Sequence, residues 1–99
     1  MSARRRLLLT YDIRDPKRLR RVHKVAKEFG YALQYSVFVC DLDAVGRLRL
    51  EAAMLEVMHE RVDSVALFDL GGSDRRGIEC VRQLGARVDL SSSGGSAIW

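Results

Sequence analysis

Asp12 closes the apolar run Leu7-Leu8-Leu9-Thr10-Tyr11, and a row of cations follows at Arg14, Lys17, Arg18, Arg20, Arg21 and Lys24. A carboxylate offers the hard oxygen ligand that Mg²⁺ prefers and that Mn²⁺ also accepts. Arginine and lysine bind phosphate, arginine with two parallel N–H donors. Side by side, the two suit metal-assisted attack on a phosphodiester: a bound cation lowers the pKa of a water and neutralises charge on the phosphate. A plainer reading stands next to it. A strand-end aspartate is most often a turn or capping residue, and the immediate competitor to metal binding is an ion pair between Asp12 and Arg14 or another nearby arginine.

The elements around this stretch must position it. Residues 6–12 read as a strand, with Leu7, Leu9 and Tyr11 on one side and Leu8, Thr10 and Asp12 on the other. Apolar residues on both sides imply cover on both faces. Asp15-Pro16 starts a helix, with Asp as cap and Pro at its first position. Leu19, Val22, Ala26 and Phe29 recur at helical spacing as its buried stripe, and Gly30 is expected as a left-handed cap. Its N-terminal N–H groups and positive dipole end favour an anion.

Two strands follow, Tyr31 to Gln34 and Tyr35 to Leu42, turning sharply around Gln34-Tyr35-Ser36 without the usual Asn-Gly signal. Asp43 caps a second helix over 44–61. Val45, Leu48, Ala52, Leu55 and Val62 form its expected core stripe, which Leu50, Met54, Val57 and Met58 widen. Ser64 to Leu70 reads as the next strand and Gly71 to Asp74 as a loop. Ile78, Val81 and Leu84 keep helical spacing, and Ala86 to Leu90 reads as a last short strand. The expectation is one domain over 1–90 and a flexible tail over 91–99 that ends in Ile98-Trp99.

The order β-α-β-β-α-β defines an α+β, ferredoxin-like domain with an extra C-terminal strand. Its helices cover one face of the sheet. The other face, read as carrying Leu8 and Phe38, needs a partner, and a sheet-to-sheet homodimer supplies one. Two Asp12 side chains would then approach across the axis, a juxtaposition that requires protonation or a bridging cation.

Composition narrows the partners. The 99-residue chain carries a formal charge of +4, unevenly spread. Residues 1–27 hold ten Lys or Arg against Asp12 and Asp15, whereas the remainder is net acidic. The N-terminal third therefore predicts a polyanion partner, nucleic acid first. No apolar run approaches the roughly 20 residues that span a bilayer, so no membrane partner and a cytoplasmic location are expected. Cys40 and Cys80 read as reduced thiols without metal spacing, and His23 and His59 as helix-surface or packing residues.

Tyr11-Asp12-Ile13, Asp15, Arg21-Val22, Gly30, Gln34-Tyr35-Ser36-Val37-Phe38 and Asp63-Ser64-Val65 together resemble the small CRISPR-associated endoribonuclease family, the small subunit of the spacer-acquisition complex. The resemblance runs from Leu7 to Leu70 and is looser after Gly71. It implies a ferredoxin-like homodimer with Asp12 as an Mg²⁺ ligand shared between protomers. It implies nuclease roles for Tyr11, Arg21 and Phe38. It also implies backbone binding of duplex DNA, cleavage of single-stranded RNA or double-stranded DNA in some members, and bridging of two integrase dimers. Leu19 and Ala32 stand where many members carry arginine. Three functions are thus carried forward: a metal-dependent endonuclease, a non-catalytic nucleic-acid adaptor, and a dimer that binds only protein.

Overall fold

Leu7, Leu9 and Tyr11 are buried, whereas Leu8 and Thr10 are only partly so and Asp12 is exposed, which shows which side of the first strand faces the core. A computed structural model describes residues 3–73 and 81–85. Its elements are β1 (Arg5–Asp12), α1 (Pro16–Phe29), β2 (Tyr31–Gln34), β3 (Val37–Leu42), α2 (Ala44–Val57) and β4 (Ser64–Gly72). The sheet order is β2-β3-β1-β4 with every pair antiparallel. This is the ferredoxin-like βαββαβ arrangement, with β1 and β3 in the middle. The strand expected over 86–90, the tail over 91–99, Ile78 and Cys80 lie outside the described residues. Among the described residues no helix is long and apolar enough to cross a membrane.

Both helices lie on the Leu7–Leu9–Tyr11 side. Pairing sets the register: Leu9 opposes Phe38 and Leu67, and Leu7 opposes Cys40. Phe38 and Cys40 are fully buried with Val22, Ala26, Leu50 and Met54. Phe38 therefore faces the helices, not the uncovered side to which the sequence reading assigned it. The uncovered side carries Leu8, Thr10, Val37, Val39, Ala66 and Phe68, paired across the strands, with Phe68 half exposed. Its β2 end is partly overlaid by residues 81–85, where Gln83 Nε2 donates to the Leu33 carbonyl at 3.1 Å. That segment is irregular, and Leu84 is largely exposed, so the helical spacing at Val81 and Leu84 forms no helix there.

Local chemistry sets the element ends. Asp15 accepts from the Arg18 amide at 3.0 Å and caps α1, with Pro16 in its first turn. Asp43 caps α2 through the Gly46 amide at 2.8 Å. Gly30 is not left-handed: its φ of −162° is ordinary extended backbone. Glycine is needed for space, since a Cβ there would strike the Val39 carbonyl oxygen and lie 2.7 Å from Cys40 Sγ. The first strand starts one residue earlier than expected. β1 begins at Arg5, and Arg4 Nη1 donates to the Asp41 carbonyl at 2.9 Å. β4 runs on to Gly72 where a loop was expected, through a register shift against β1 that places Gly71 at φ 108°.

α2 departs most from expectation. It stops at Val57, and its buried side chains are Leu50 and Met54. Val45, Leu48, Leu55 and Val62 are all half or more exposed. The helix is apolar nearly all round, so spacing alone does not select a face, and the docking of Leu50 against β1 and α1 decides it. Leu50→Ala is expected to cost about 2–5 kcal/mol in urea unfolding, whereas Leu48→Ala stays within about 0.5 kcal/mol. The reverse ranking would show that α2 buries its other face.

Candidate metal and nucleic-acid site

Asp12 is the last residue of a central strand and alternates out of the core, opposite Ser64 on the uncovered side of the sheet. Its side chain is 68% exposed. Arg14 Nη2 lies 3.6 Å from Asp12 Oδ2, an open ion pair between two exposed groups. The competing arginine reading is thus present geometrically, but a surface pair at that distance contributes little and leaves the carboxylate accessible.

Tyr11, next in the chain, points the other way. Its ring is buried and stacks on Phe38 with centroids 6.2 Å apart. The hydroxyl lies 3.1 Å from the Tyr35 carbonyl and 2.9 Å from His23 Nδ1. A phenol has one proton. Given to the Tyr35 carbonyl, it leaves the oxygen to accept from His23, which assigns the imidazole proton to Nδ1. His23 also meets the Phe38 ring edge-on at 5.4 Å. Burial pushes the Tyr11 phenol up and the His23 imidazole down from its ordinary 6.5, with Lys27 adding to the latter. Tyr11 and Phe38 therefore form an inner wall that fastens the β2–β3 turn to α1.

The cations divide in two. Arg14, Lys17, Arg20, Arg21 and Lys24 are exposed. Arg18 is not available in the same way, because its guanidinium grips Asp63. Nε donates to Oδ2 at 2.7 Å and Nη2 to Oδ1 at 3.2 Å. The Asp63 side chain is fully buried and also accepts the Arg14 amide at 2.9 Å and the His59 amide at 2.8 Å. The Arg18 guanidinium, helped by these two amides, holds the Asp63 carboxyl well below the usual carboxylate range. At the other end of the sheet Arg6 makes a bidentate pair with Asp41, and Arg5 pairs with Asp69.

Sequence reasoning missed two of these groups. His23 looked like an isolated packing residue, and nothing in its spacing announces the Tyr11 hydroxyl. Asp63 entered only as part of the Asp63-Ser64-Val65 resemblance, with no role. Its Arg18 and Arg14 partners are 45 and 49 residues away, beyond any local pattern.

As a metal site, one protomer offers one hard oxygen donor of the right kind. Among the described residues no group of three or more Asp, Glu, His or Cys side chains gathers in one place. The donor chemistry suits Mg²⁺, and a second copy across the uncovered face would bring a second Asp12.

With the geometry in place, comparison with known proteins is decisive. The family model for CRISPR associated protein Cas2 matches residues 5–78. The chain belongs to the Cas2 family. A relative named CRISPR-associated endoribonuclease Cas2, from Geobacter sulfurreducens, is 40% identical over 67 residues, covering 68% of this chain and 70% of its own. A relative named CRISPR-associated endonuclease Cas2, from Halalkalibacterium halodurans, is 31% identical over 89 residues, covering 85% and 90%. The crystal structure of Streptococcus pyogenes Cas2 at pH 6.5 superposes with a TM-score of 0.71 at 29% identity, over 81% of this chain and 99% of that one. The hypothetical protein TT1823 from Thermus thermophilus gives 0.74 at 25% identity, over 86% and 95%. The family match over residues 5–78 spans both helices and all four strands.

The half-buried His23 is expected to give this Cas2-family fold a pH dependence. Its folded pKa lies below its unfolded value of 6.5, so the unfolded chain takes up the proton first. Stabilisation present above about pH 6.5 is lost as pH falls through the folded value. The urea midpoint should therefore drop between pH 7 and pH 5.5, and His23→Phe should flatten that part of the curve. Asp41 and Asp63, both lowered from 3.8, add their losses only in more acidic solution.

Proposed function

We propose that the chain is the small subunit of the CRISPR spacer-acquisition machinery, acting as a homodimer that binds nucleic acid through α1 and hydrolyses phosphodiesters with a divalent metal at Asp12. The observation that carries the reading is the exposed Asp12 carboxylate on the uncovered sheet face, directly ahead of the row of exposed cations. Relatives named as endoribonucleases and endonucleases support the same chemistry.

In this reading the two uncovered faces pack together, which removes half-exposed apolar groups such as Phe68 from water. Asp12 from each protomer would hold Mg²⁺, or Mn²⁺ in its place. When bound, that cation supplies a water of lowered pKa and neutralises charge on the phosphate. The chain's own cations do the rest. Lys17, Arg20, Arg21 and Lys24 contact backbone phosphates of duplex DNA or single-stranded RNA, giving affinity and salt dependence without sequence readout. Tyr11 and Phe38 act from within as the wall behind Asp12. The same dimer bridges two integrase dimers and holds prespacer DNA between them.

A second reading, a non-catalytic adaptor, is favoured by one observation. Of the residues tied to nuclease activity by resemblance, Tyr11 and Phe38 are enclosed, and the Tyr11 hydroxyl is already bonded. Asp12→Ala separates the two. Under the nuclease reading, Mg²⁺-dependent cleavage by the purified dimer falls at least about 100-fold, while retention of DNA at low salt persists. Under the adaptor reading, the wild-type protein shows no cleavage that chelation abolishes, and spacer acquisition survives the substitution.

A further inference from the structure

Asp63 is a buried acid whose partners gather at the Asp12 end of the sheet. Its carboxylate has no exposed surface and accepts four N–H donors from three places: the Arg14 amide, two guanidinium nitrogens of Arg18, and the His59 amide. Three of those donors belong to the segment that follows Asp12. Asp63 also stands one residue before Ser64, the cross-strand neighbour of Asp12. The acid is thus fixed from both sides. Along the chain, the anchored Arg14 amide lies two residues beyond it; across the ladder, the anchored residue lies one position before its neighbour.

We infer that Asp63 is a positioning residue for the Asp12 site, acting through the Arg14 amide and the Arg18 guanidinium to immobilise the β1–α1 connection, so that the Asp12 carboxylate, already turned to the uncovered face by strand alternation, is held on a fixed backbone. This rests on the reading of Asp12 as a metal ligand. The physical basis is the difference between a tethered and a free ligand. A carboxylate on an anchored backbone loses little further freedom when it binds a cation, whereas one on a loose connection must be ordered at the moment of binding. Asp63 touches neither metal nor phosphate in this scheme.

The anchor has a second effect. It holds the Arg14 backbone where the Arg14 side chain reaches 3.6 Å from Asp12, so one cation stays beside the acid while Arg18 is withdrawn from phosphate.

The test uses the full-length protein as purified, with Mn²⁺ as the probe and electron paramagnetic resonance reading the free ion. The Asp63→Asn side chain has the same shape but offers one acceptor oxygen and sets an NH₂ against donors. The native protein should bind Mn²⁺, Asp12→Ala should not, and Asp63→Asn should bind roughly tenfold more weakly or worse while keeping its circular dichroism and sedimentation. Asp41→Asn is the matched control. It breaks the part-buried bidentate pair with Arg6 at the far end of the sheet, about 20 Å away at strand rise, and should leave Mn²⁺ affinity unchanged. Native-like affinity in folded Asp63→Asn, or an equal loss in Asp41→Asn, overturns the inference and leaves the metal reading intact. No Mn²⁺ binding by the native protein instead removes the metal reading and the inference with it.

Should Asp63→Asn fail to fold, hydrogen exchange on the native chain decides. The Arg14 amide, outside any helix or strand, should exchange at least about 100-fold more slowly than an unstructured amide. Unprotected exchange there would mean that Asp63 does not anchor the connection.

Discussion

A buried carboxylate surrounded by four N–H donors has very little rotational freedom, and Asp63 is such a group. Without those donors its charge would be costly in a largely apolar setting; with them it becomes a joint. The joint ties the connection after β1, the first turn of α1 and the connection after α2 to one point. The sheet and helices can be assembled from hydrophobic alternation alone, but alternation does not specify how the loops at one end stack on each other. Strand alternation turns Asp12 outward, and that stacking fixes the backbone immediately after it and withdraws the Arg18 guanidinium from the exposed cations.

The same logic reshapes the electrostatics. The N-terminal third looks like a continuous basic block, and the rest of the chain looks acidic. Folding interleaves them: Arg5 meets Asp69, Arg6 meets Asp41 and Arg18 meets Asp63. Three arginines are thereby paired within the chain, Arg5 at its surface. Among the described residues, Lys17, Arg20, Arg21 and Lys24 on the exposed side of α1 make no such salt bridge, and positive charge concentrates there. A polyanion would meet a narrow ridge, not a uniformly basic surface.

Much of this architecture was legible before any coordinates. β1 alternates cleanly, and Asp15-Pro16 and Asp43 announce their helices, so element order and sheet topology followed. The position of Asp12 outside the core followed from counting by twos. Illegibility had specific causes. α2 is apolar on too many sides for spacing to choose Leu50 over Leu48. Gly30 suggested a left-handed cap, but only the approach of Val39 and Cys40 shows that it is there for room. Phe38 was read onto the wrong side because register, not composition, places it beneath the helices. The Tyr11–His23 and Asp63–Arg18 pairings connect distant segments, and local sequence does not encode them.

The junction between α1 and β2 is a single residue, Gly30, wedged against the β3 backbone. One extra amino acid there would exchange the two sides of β2, turning its outward groups inward and the reverse. The α1–β2 junction is therefore a point of this chain at which a length change would be costly, because it would undo the pairing of β2 with β3.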